Sequence, residues 1–217
     1  MGEHLSRARA GMALGLAGIL VLGACSTDRE LTKPDPVPVT QERLAATLLT
    51  IDDLPEGFTA VDGPGTPIDA DVITEHDCDD ALTKLEPKES ASVDFTGNGV
   101  ALTSTAAWFP GQGPAVEQVF RDIAASCRQV VIADQGLAVR TGGLSFGVLS
   151  DDTLPLRFEI EPDSGAITER DLILMRQGDL VHVIRLSGLR PSDKTLLDTA
   201  VRAVIGRLGL LYEDTNP

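Results

Sequence analysis

Histidine is the side chain best suited to acid–base catalysis near neutral pH, and the sequence contains three. His4 falls within a segment that has the features of an export signal, which leaves His76 and His182. A general acid or base needs a reacting partner within hydrogen-bond reach, and neither histidine belongs to a recognisable catalytic set. His182 alternates with Leu180 and Ile184, so we expect it to point into the core rather than to act as a ligand or catalyst. We therefore predict no catalytic residues and no enzyme activity.

Two carboxylates, Glu159 and Glu161, form the second arrangement that could do chemistry. They alternate with Phe158 and Ile160, which indicates a strand with one buried face and one face in water. Both glutamates then lie on the wet face. We interpret them as solvated strand residues rather than as the carboxylate pair of a glycosidase.

The densest group of polar side chains lies between residues 69 and 80. Such side chains could bind Ca²⁺ or Zn²⁺, but the spacing does not match an EF-hand loop and the central glycine is missing. We favour the alternative that the acids stabilise the N-terminus of a short helix capped by Asp77. No metal site and no cofactor are predicted. The cluster consists of Asp69, Asp71, Glu75, His76, Asp77, Asp79 and Asp80.

Cys25 ends the run Leu22-Gly23-Ala24-Cys25 and directly follows an uncharged apolar stretch at residues 12–22. A basic start, an apolar core and a small-residue cleavage site are typical of an export signal. The run also resembles the Leu-x-small-Cys lipobox of bacterial lipoprotein precursors, in which the thiol accepts a diacylglyceryl group. We predict a lipoprotein signal peptide over residues 1–24 and lipidation of Cys25. The alternative is an ordinary secretory signal followed by a chance cysteine.

This prediction sets the domain organisation. Residues 25–39 contain three prolines and several charges, which predicts a flexible tether behind the lipid. Residues 40–212 are expected to form one domain, and residues 213–217 a short tail. The acyl chains would hold the protein on the extracytoplasmic face of the cell membrane, because each buried CH₂ contributes about 0.8 kcal/mol.

Cys78 and Cys127 are the two cysteines that remain. An exported chain meets an oxidising compartment, so an even pair predicts a disulfide bond. A metal pair or a redox pair is the alternative, although the two residues are far apart and no Cys-x-x-Cys motif is present.

The charge balance excludes one class of partner. With 18 basic and 33 acidic residues the formal net charge is −15, which repels nucleic acid and gains nothing from anionic lipid head groups. Membrane attachment must then come from the lipid on Cys25, and the other expected partner is an unknown small molecule or protein.

Hydrophobic periodicity predicts three main helices. The first begins after Thr40 and places Leu44, Leu48 and Ile51 on one face. The second spans residues 115–127. The third is capped by Ser192 and ends at Gly209.

Between the helices, alternation and turn signals predict strands. Hairpins are expected around residues 97–99 and 177–179, and Gly142-Gly143 is expected to separate two further strands at 137–140 and 144–149. We therefore predict an α+β domain with one antiparallel sheet and helices packed on one of its faces. Trp108 and Phe109 could line a pocket, although core packing is the simpler interpretation.

The order of these features resembles small actinobacterial lipoproteins related to the extracellular sensor domain of mycobacterial receptor-type serine/threonine kinases. The matching pieces are the lipobox, residues 48–58, the helix Phe120–Cys127, and residues 176–183 followed by an amphipathic helix. The resemblance implies a sheet-and-helix domain with a cleft for an unknown ligand. The kinase sensor domains carry two disulfides, whereas this chain can form one.

The leading hypothesis is a non-catalytic, sensor-like domain that binds a ligand or a protein partner outside the cell membrane. The alternative is a carrier of lipid or another apolar ligand in the cell envelope, for which a large dry cavity would be expected. A hydrolase is the third hypothesis, and it would need a cluster of acids or bases that the sequence does not supply.

Overall fold

The computed structural model describes residues 37–63, 86–126, 128–132, 137–146, 152–163, 165–189 and 193–215. These described residues belong to one compact unit. The helices are α1 (Gln41–Ala45), α2 (Gly113–Ser126) and α3 (Lys194–Thr215), with one 3-10 turn at Ile51–Asp53. The strands are β1 (Phe58–Ala60), β2 (Glu89–Gly97), β3 (Val100–Trp108), β4 (Gln129–Ile132), β5 (Leu137–Gly143), β6 (Thr153–Pro162), β7 (Thr168–Gln177) and β8 (Leu180–Leu189).

The strands form one sheet in the order β1-β2-β3-β8-β7-β6-β5-β4, and every neighbouring pair is antiparallel. The predicted fold class, an α+β domain with a single antiparallel sheet, is confirmed. Among the described helices, none is long and apolar enough to cross a membrane.

Helices cover both faces of this sheet. Successive residues of a strand point to opposite faces, and in β7 the side chains of Leu172 and Leu174 belong to the core beneath α2. Ile173 and Met175 belong instead to the core beneath α1 and α3. The predicted packing on one face therefore holds for α1 and α3, whereas α2 lies on the other face. The continuous apolar run Leu172-Ile173-Leu174-Met175 in β7 is the sequence signal for a strand buried on both faces, and the sequence analysis did not use it.

The two predicted hairpin turns are present where the sequence placed them. Asn98 and Gly99 have φ values of 52° and 78°, the left-handed conformation that a tight two-residue turn requires. Gly178 has a φ of 59° in the turn between β7 and β8.

The region around residues 128–146 differs from its prediction. Gly142 and Gly143 do not form a turn; they continue β5 and pair with Arg157 and Leu156 of β6. Residues 144–146 are not a strand, and residues 147–149 lie outside the described part. The sequence analysis also missed β4, because a four-residue edge strand is too short to show alternation.

The helix ends differ as well. Asp193, not Ser192, caps α3, since its Oδ1 accepts hydrogen bonds from Thr195 N at 2.9 Å and Leu196 N at 3.0 Å. The helix also passes Gly209 and continues to Thr215. A glycine inside a helix costs about 1 kcal/mol. Burial of Leu211, which lies beyond Gly209 and is 5% exposed, offsets that cost.

The N-terminal helix is shorter than predicted. Thr40 caps it as expected, with Arg43 N donating to its Oγ1 at 3.3 Å. The helix ends at Ala45, so Ile51 falls in the 3-10 turn and is 45% exposed instead of sharing the buried face of Leu44.

Candidate ligand-binding cleft

A cleft of about 450 Å³ opens where the end of β3, the β7–β8 turn and the end of α3 meet the segment that precedes α1. This volume lies within the range of small-molecule sites. The cleft contains both the single tryptophan and the single tyrosine of the chain. Its described lining residues are Val37, Pro38, Val39, Trp108, Gly178, Asp179, Leu180, Tyr212 and Thr215.

The alternation of β3 places Trp108 in the cleft. Trp108 is the last residue of the strand and is paired with Leu180 of β8 and Glu89 of β2. Phe109 follows directly and packs into the core beneath α2, where it is 4% exposed. The two neighbouring aromatic residues therefore have different roles: Trp108 lines the cleft and Phe109 is a core residue.

A cation lies against the Trp108 ring. The Nζ atom of Lys88 is 4.9 Å from the ring centroid, within the range of a cation–π interaction. A backbone hydrogen bond of 2.9 Å from Lys88 N to Trp108 O fixes this arrangement at the start of β2.

Asp179 connects the cleft to the loop that leads into α2. Its Oδ2 accepts a hydrogen bond from Gly111 N at 2.7 Å, and its Oδ1 accepts one from Gly113 N at 3.2 Å. Its backbone carbonyl accepts a third from Phe109 N at 2.9 Å. The carboxylate thus occupies a fixed position at the rim of the cleft, held by neutral donors.

Glycines allow the β7–β8 turn to lie tightly against its neighbours. A Cβ atom on Gly178 would collide with the Tyr212 ring, and a Cβ atom on Gly113 would collide with the backbone carbonyl of Gly178. The ring of Tyr212 therefore packs directly on the turn. Any side chain at position 178 would push the ring away and change the shape of the cleft.

The segment before α1 forms the remaining wall. Val37 N donates a hydrogen bond to Asp214 O at 3.3 Å. Arg43 links this segment to the end of α3, because it donates to Pro38 O at 3.3 Å and to Asp214 Oδ2 at 2.8 Å. Val39 is 7% exposed and belongs to the core. Residues 37 and 38, which the sequence analysis assigned to the tether, therefore contact Asp214 and Arg43, and α3 continues through Thr215 into the predicted tail.

His182 is buried beside this cleft region, on the same face of β8 as Leu180. Its Nε2 atom is 2.9 Å from Ser104 Oγ, which also accepts a hydrogen bond from Leu49 N at 3.1 Å. The ring is 0% exposed. Burial, with a smaller contribution from the positive charge of Arg207, lowers the pKa of His182 to about 3. The predicted inward orientation of His182 is confirmed. Its hydrogen bond with Ser104 lies in the core, and both residues are buried.

The sequence Gly143-Leu144-Ser145-Phe146-Gly147 matches the nucleophile-elbow pattern of serine hydrolases, a match that the sequence analysis overlooked. That motif requires a strand followed by a sharp turn and a helix. Here β5 belongs to an antiparallel sheet, and the next described element is another strand, β6. The described surroundings of Ser145 therefore lack the context that makes this serine a nucleophile.

The carboxylates on β6 lie on one face, as predicted, and bind arginines. Arg140 lies 3.9 Å from Glu159 and 3.1 Å from Glu161. On the same face, Arg157 forms two hydrogen bonds of 2.6 and 2.7 Å with the buried Asp171. These ion pairs account for the charged side chains on this face of the sheet, which is exposed at Arg140 and buried at Asp171.

The other predicted site residues lie outside the described part of the chain. This applies to the lipidation residue Cys25, to Cys78 and Cys127 of the predicted disulfide, and to the acidic segment 69–80 with His76. Their roles stay predictions.

No protein-family model and no curated protein sequence matches this chain. Among solved structures, the extracellular domain of PknH from Mycobacterium tuberculosis is similar, with a TM-score of 0.59 and 13% sequence identity over 82% of this chain and 98% of that chain. The structure of an uncharacterised protein from Mycobacterium smegmatis matches with a TM-score of 0.43 and 15% identity over 79% of this chain and 98% of that chain. The first comparison shows a shared fold and confirms the predicted resemblance at that level.

Proposed function

We propose that this protein is a lipid-anchored, extracytoplasmic domain that binds a ligand in the cleft between Trp108 and Tyr212 and carries out no reaction on it. The observation that carries the proposal is the cleft itself. It combines apolar walls, two aromatic rings and one fixed carboxylate, which is the usual composition of a small-molecule site. The fold shared with an extracellular domain supports the location outside the cytoplasm.

The position of the cleft suits a tethered receptor. Its wall at residues 37–39 is the end of the predicted tether, whose lipid would sit on Cys25. A fully extended chain between residues 25 and 37 reaches about 40 Å. The tether would therefore keep the cleft within about 40 Å of the membrane surface.

A carrier of apolar ligands is the second candidate that the sequence suggested. A carrier of this kind is expected to have a large, dry cavity, whereas the cleft has a carboxylate at its rim and a lysine beside its tryptophan. These polar groups favour a sensor-like site that recognises a head group over a site that encloses an acyl chain.

Native mass spectrometry of the full-length protein, extracted from its own host membranes, tests the proposal. We expect a fraction of the molecules to retain a small ligand and the Tyr212→Leu variant to lose it. A protein that carries only its covalent lipid, in both the original and the variant form, would contradict ligand binding in the cleft.

A further inference from the structure

The charge of the cleft limits the chemistry of its ligand. Asp179 is the only charged residue among the described residues that line it, and the whole chain has a net charge of −15. The two hydrogen bonds to Asp179 come from the backbone N–H groups of Gly111 and of Gly113, the first residue of α2. They hold the carboxylate in place, and the partial positive charge of the helix N-terminus offsets only part of its charge. An anionic group entering the cleft would be repelled, and a cationic group would be attracted.

The aromatic rings favour the same charge. Cations bind the faces of tryptophan and tyrosine rings, and sites for quaternary ammonium ligands are commonly built from such rings. The Nζ atom of Lys88 lies 4.9 Å from the centroid of the Trp108 ring, so a cationic ligand would bind this ring by displacing the flexible lysine side chain. Tyr212 supplies a second ring, held in position by its packing on Gly178.

The remaining walls call for an apolar part. Val37 is 45% exposed and Pro38 is exposed as well, whereas Val39 and Leu180 are already buried, at 7% and 2% exposure. A ligand with only a small charged group would leave this surface in water. An alkyl or aromatic group attached to the cation would cover it and gain the free energy of apolar burial.

We infer that the cleft binds an amphipathic organic cation, a protonated amine or quaternary ammonium group that carries an apolar group. The cationic centre lies between Trp108, Tyr212 and the carboxylate of Asp179, and the apolar group lies against Val37 and Pro38. This inference rests on the proposed function of the cleft as a ligand site and names the class of ligand.

Three probes of similar length and different charge test the inference: hexyltrimethylammonium, 1-hexanol and hexanoate. The full chain is titrated with each probe at constant ionic strength, and the fluorescence of Trp108, the single tryptophan, reports binding. We expect hexyltrimethylammonium to bind at least about tenfold more tightly than hexanol, in line with a desolvated cation–π contact. Hexanoate is expected to bind most weakly.

Variants separate the contributions of ring and charge. Tyr212→Leu removes the second ring and should weaken the binding of hexyltrimethylammonium about fivefold or more, whereas Tyr212→Phe keeps the ring and should bind like the original protein. Asp179→Asn should weaken binding of the cation and leave that of hexanol unchanged. Asp179 also holds the loop before α2, so Asp179→Asn could fail to fold. In that case the comparison of Tyr212→Leu with Tyr212→Phe still tests the inference.

The outcomes distinguish this inference from the proposed function. Equal affinities for hexyltrimethylammonium and hexanol, with both lost in Tyr212→Leu, would overturn the ligand class and leave the cleft as a binding site. No fluorescence response to the cation would also overturn the inference. A retained native ligand that is anionic or uncharged would overturn the inference and support the proposed function, whereas the absence of any retained ligand would count against the function itself.

Discussion

The Nε2 atom of His182 lies 2.9 Å from Ser104 Oγ in a position with no access to solvent, and the Nδ1 atom of the same ring has no hydrogen-bond partner among the described residues. Buried N–H groups without a partner are rarer than buried acceptors without one, so we infer that the neutral ring carries its proton on Nε2. A protonated ring would carry a second N–H and a charge into the core. The histidine is therefore a core residue whose stability contribution depends on pH.

Acidification should destabilise the protein through His182. Its pKa is lowered from 6.5 to about 3 in the folded state, so between these values the unfolded chain binds a proton that the folded chain does not. Stability is then complete above pH 6.5 and falls as the pH decreases. At pH 5 the loss should be about 2 kcal/mol relative to pH 7, measured by urea unfolding.

The variant His182→Gln provides the control, because its side-chain amide can reach Ser104 Oγ and does not titrate. We expect it to be less stable than the original protein at pH 7 and to lack the additional loss between pH 7 and pH 5. Carboxylates with lowered pKa, such as Glu117 and Asp53, lose their contributions only at lower pH. The same loss in the variant would assign the pH dependence to another group.

Asp179 is predicted to stabilise the domain as well as to line the cleft. Asp179→Ala removes the acceptors of two backbone N–H groups, those of Gly111 and Gly113, and should cost about 1.5–3 kcal/mol. Chemical denaturation measures the change. Asp62→Ala, at an exposed position, should have no measurable effect, and an equally small effect of Asp179→Ala would show that the loop before α2 does not depend on the carboxylate.

Glu117 is predicted to attach α2 to the sheet. It accepts hydrogen bonds from Arg121 Nε at 2.8 Å and Arg176 Nε at 2.6 Å. Burial acts to raise the pKa of Glu117, but the hydrogen bonds from Arg176 and Arg121 outweigh it and keep the pKa below its usual value. Glu117→Gln should therefore cost about 1.5–3 kcal/mol in the free energy of unfolding.

An exposed ion pair serves as the comparison for Glu117. Asp198 and Arg202 form a 2.8 Å pair at spacing i,i+4 on α3. Because water screens such a pair, Asp198→Asn should produce no measurable change in stability. If both variants behave alike, the contact between Glu117 and Arg176 is not what holds α2 in place.

The sequence predicts those parts of the fold that depend on local signals. The turns at Asn98-Gly99 and Gly178-Asp179, and the buried stripe of α2 with Val116 and Phe120, follow from backbone conformation and periodicity. The side of the sheet on which α2 packs and the continuation of α3 past Gly209 depend on tertiary burial, so local patterns do not reveal them.

The cleft shows the same division. Trp108 was recognisable as a candidate because a tryptophan at the end of a strand can line a pocket. Asp179 and Tyr212 were not, since they are 33 positions apart and only the packing of α3 against the β7–β8 turn brings them together. The one local signal for the cleft was Gly178. It predicts a turn, but it does not reveal that the ring of Tyr212 packs on that turn.

Lipidation of Cys25 predicts where the protein is found in the cell. Cys25→Ala removes the thiol that would accept the lipid, so the protein should shift from the membrane fraction to the soluble fraction of the cell envelope. Immunoblots of separated fractions measure this shift, and Cys25→Ser serves as a second non-acylated control. If both variants stay with the membranes without aggregating, something other than the lipid holds the protein there.

The predicted disulfide between Cys78 and Cys127 accounts for how the acidic segment would be attached to the domain. Cys127 directly follows α2, whose buried stripe includes Phe120 and Ile123. A bond to Cys78 would tie residues 69–85 to this helix. Cys78→Ser and Cys127→Ser should then each destabilise the protein by about 2–5 kcal/mol, the usual effect of removing a native disulfide from a small secreted domain.

The double variant distinguishes a bond from two independent contributions. If the cysteines form one disulfide, the variant lacking both should be no less stable than either single variant, because the same bond is lost in every case. Thiol labelling of the mature protein under denaturing, non-reducing conditions gives the direct answer. Two reactive thiols, or additive losses of stability, would show that the bond is absent and that the acidic segment is held to the domain, if at all, by its non-covalent contacts.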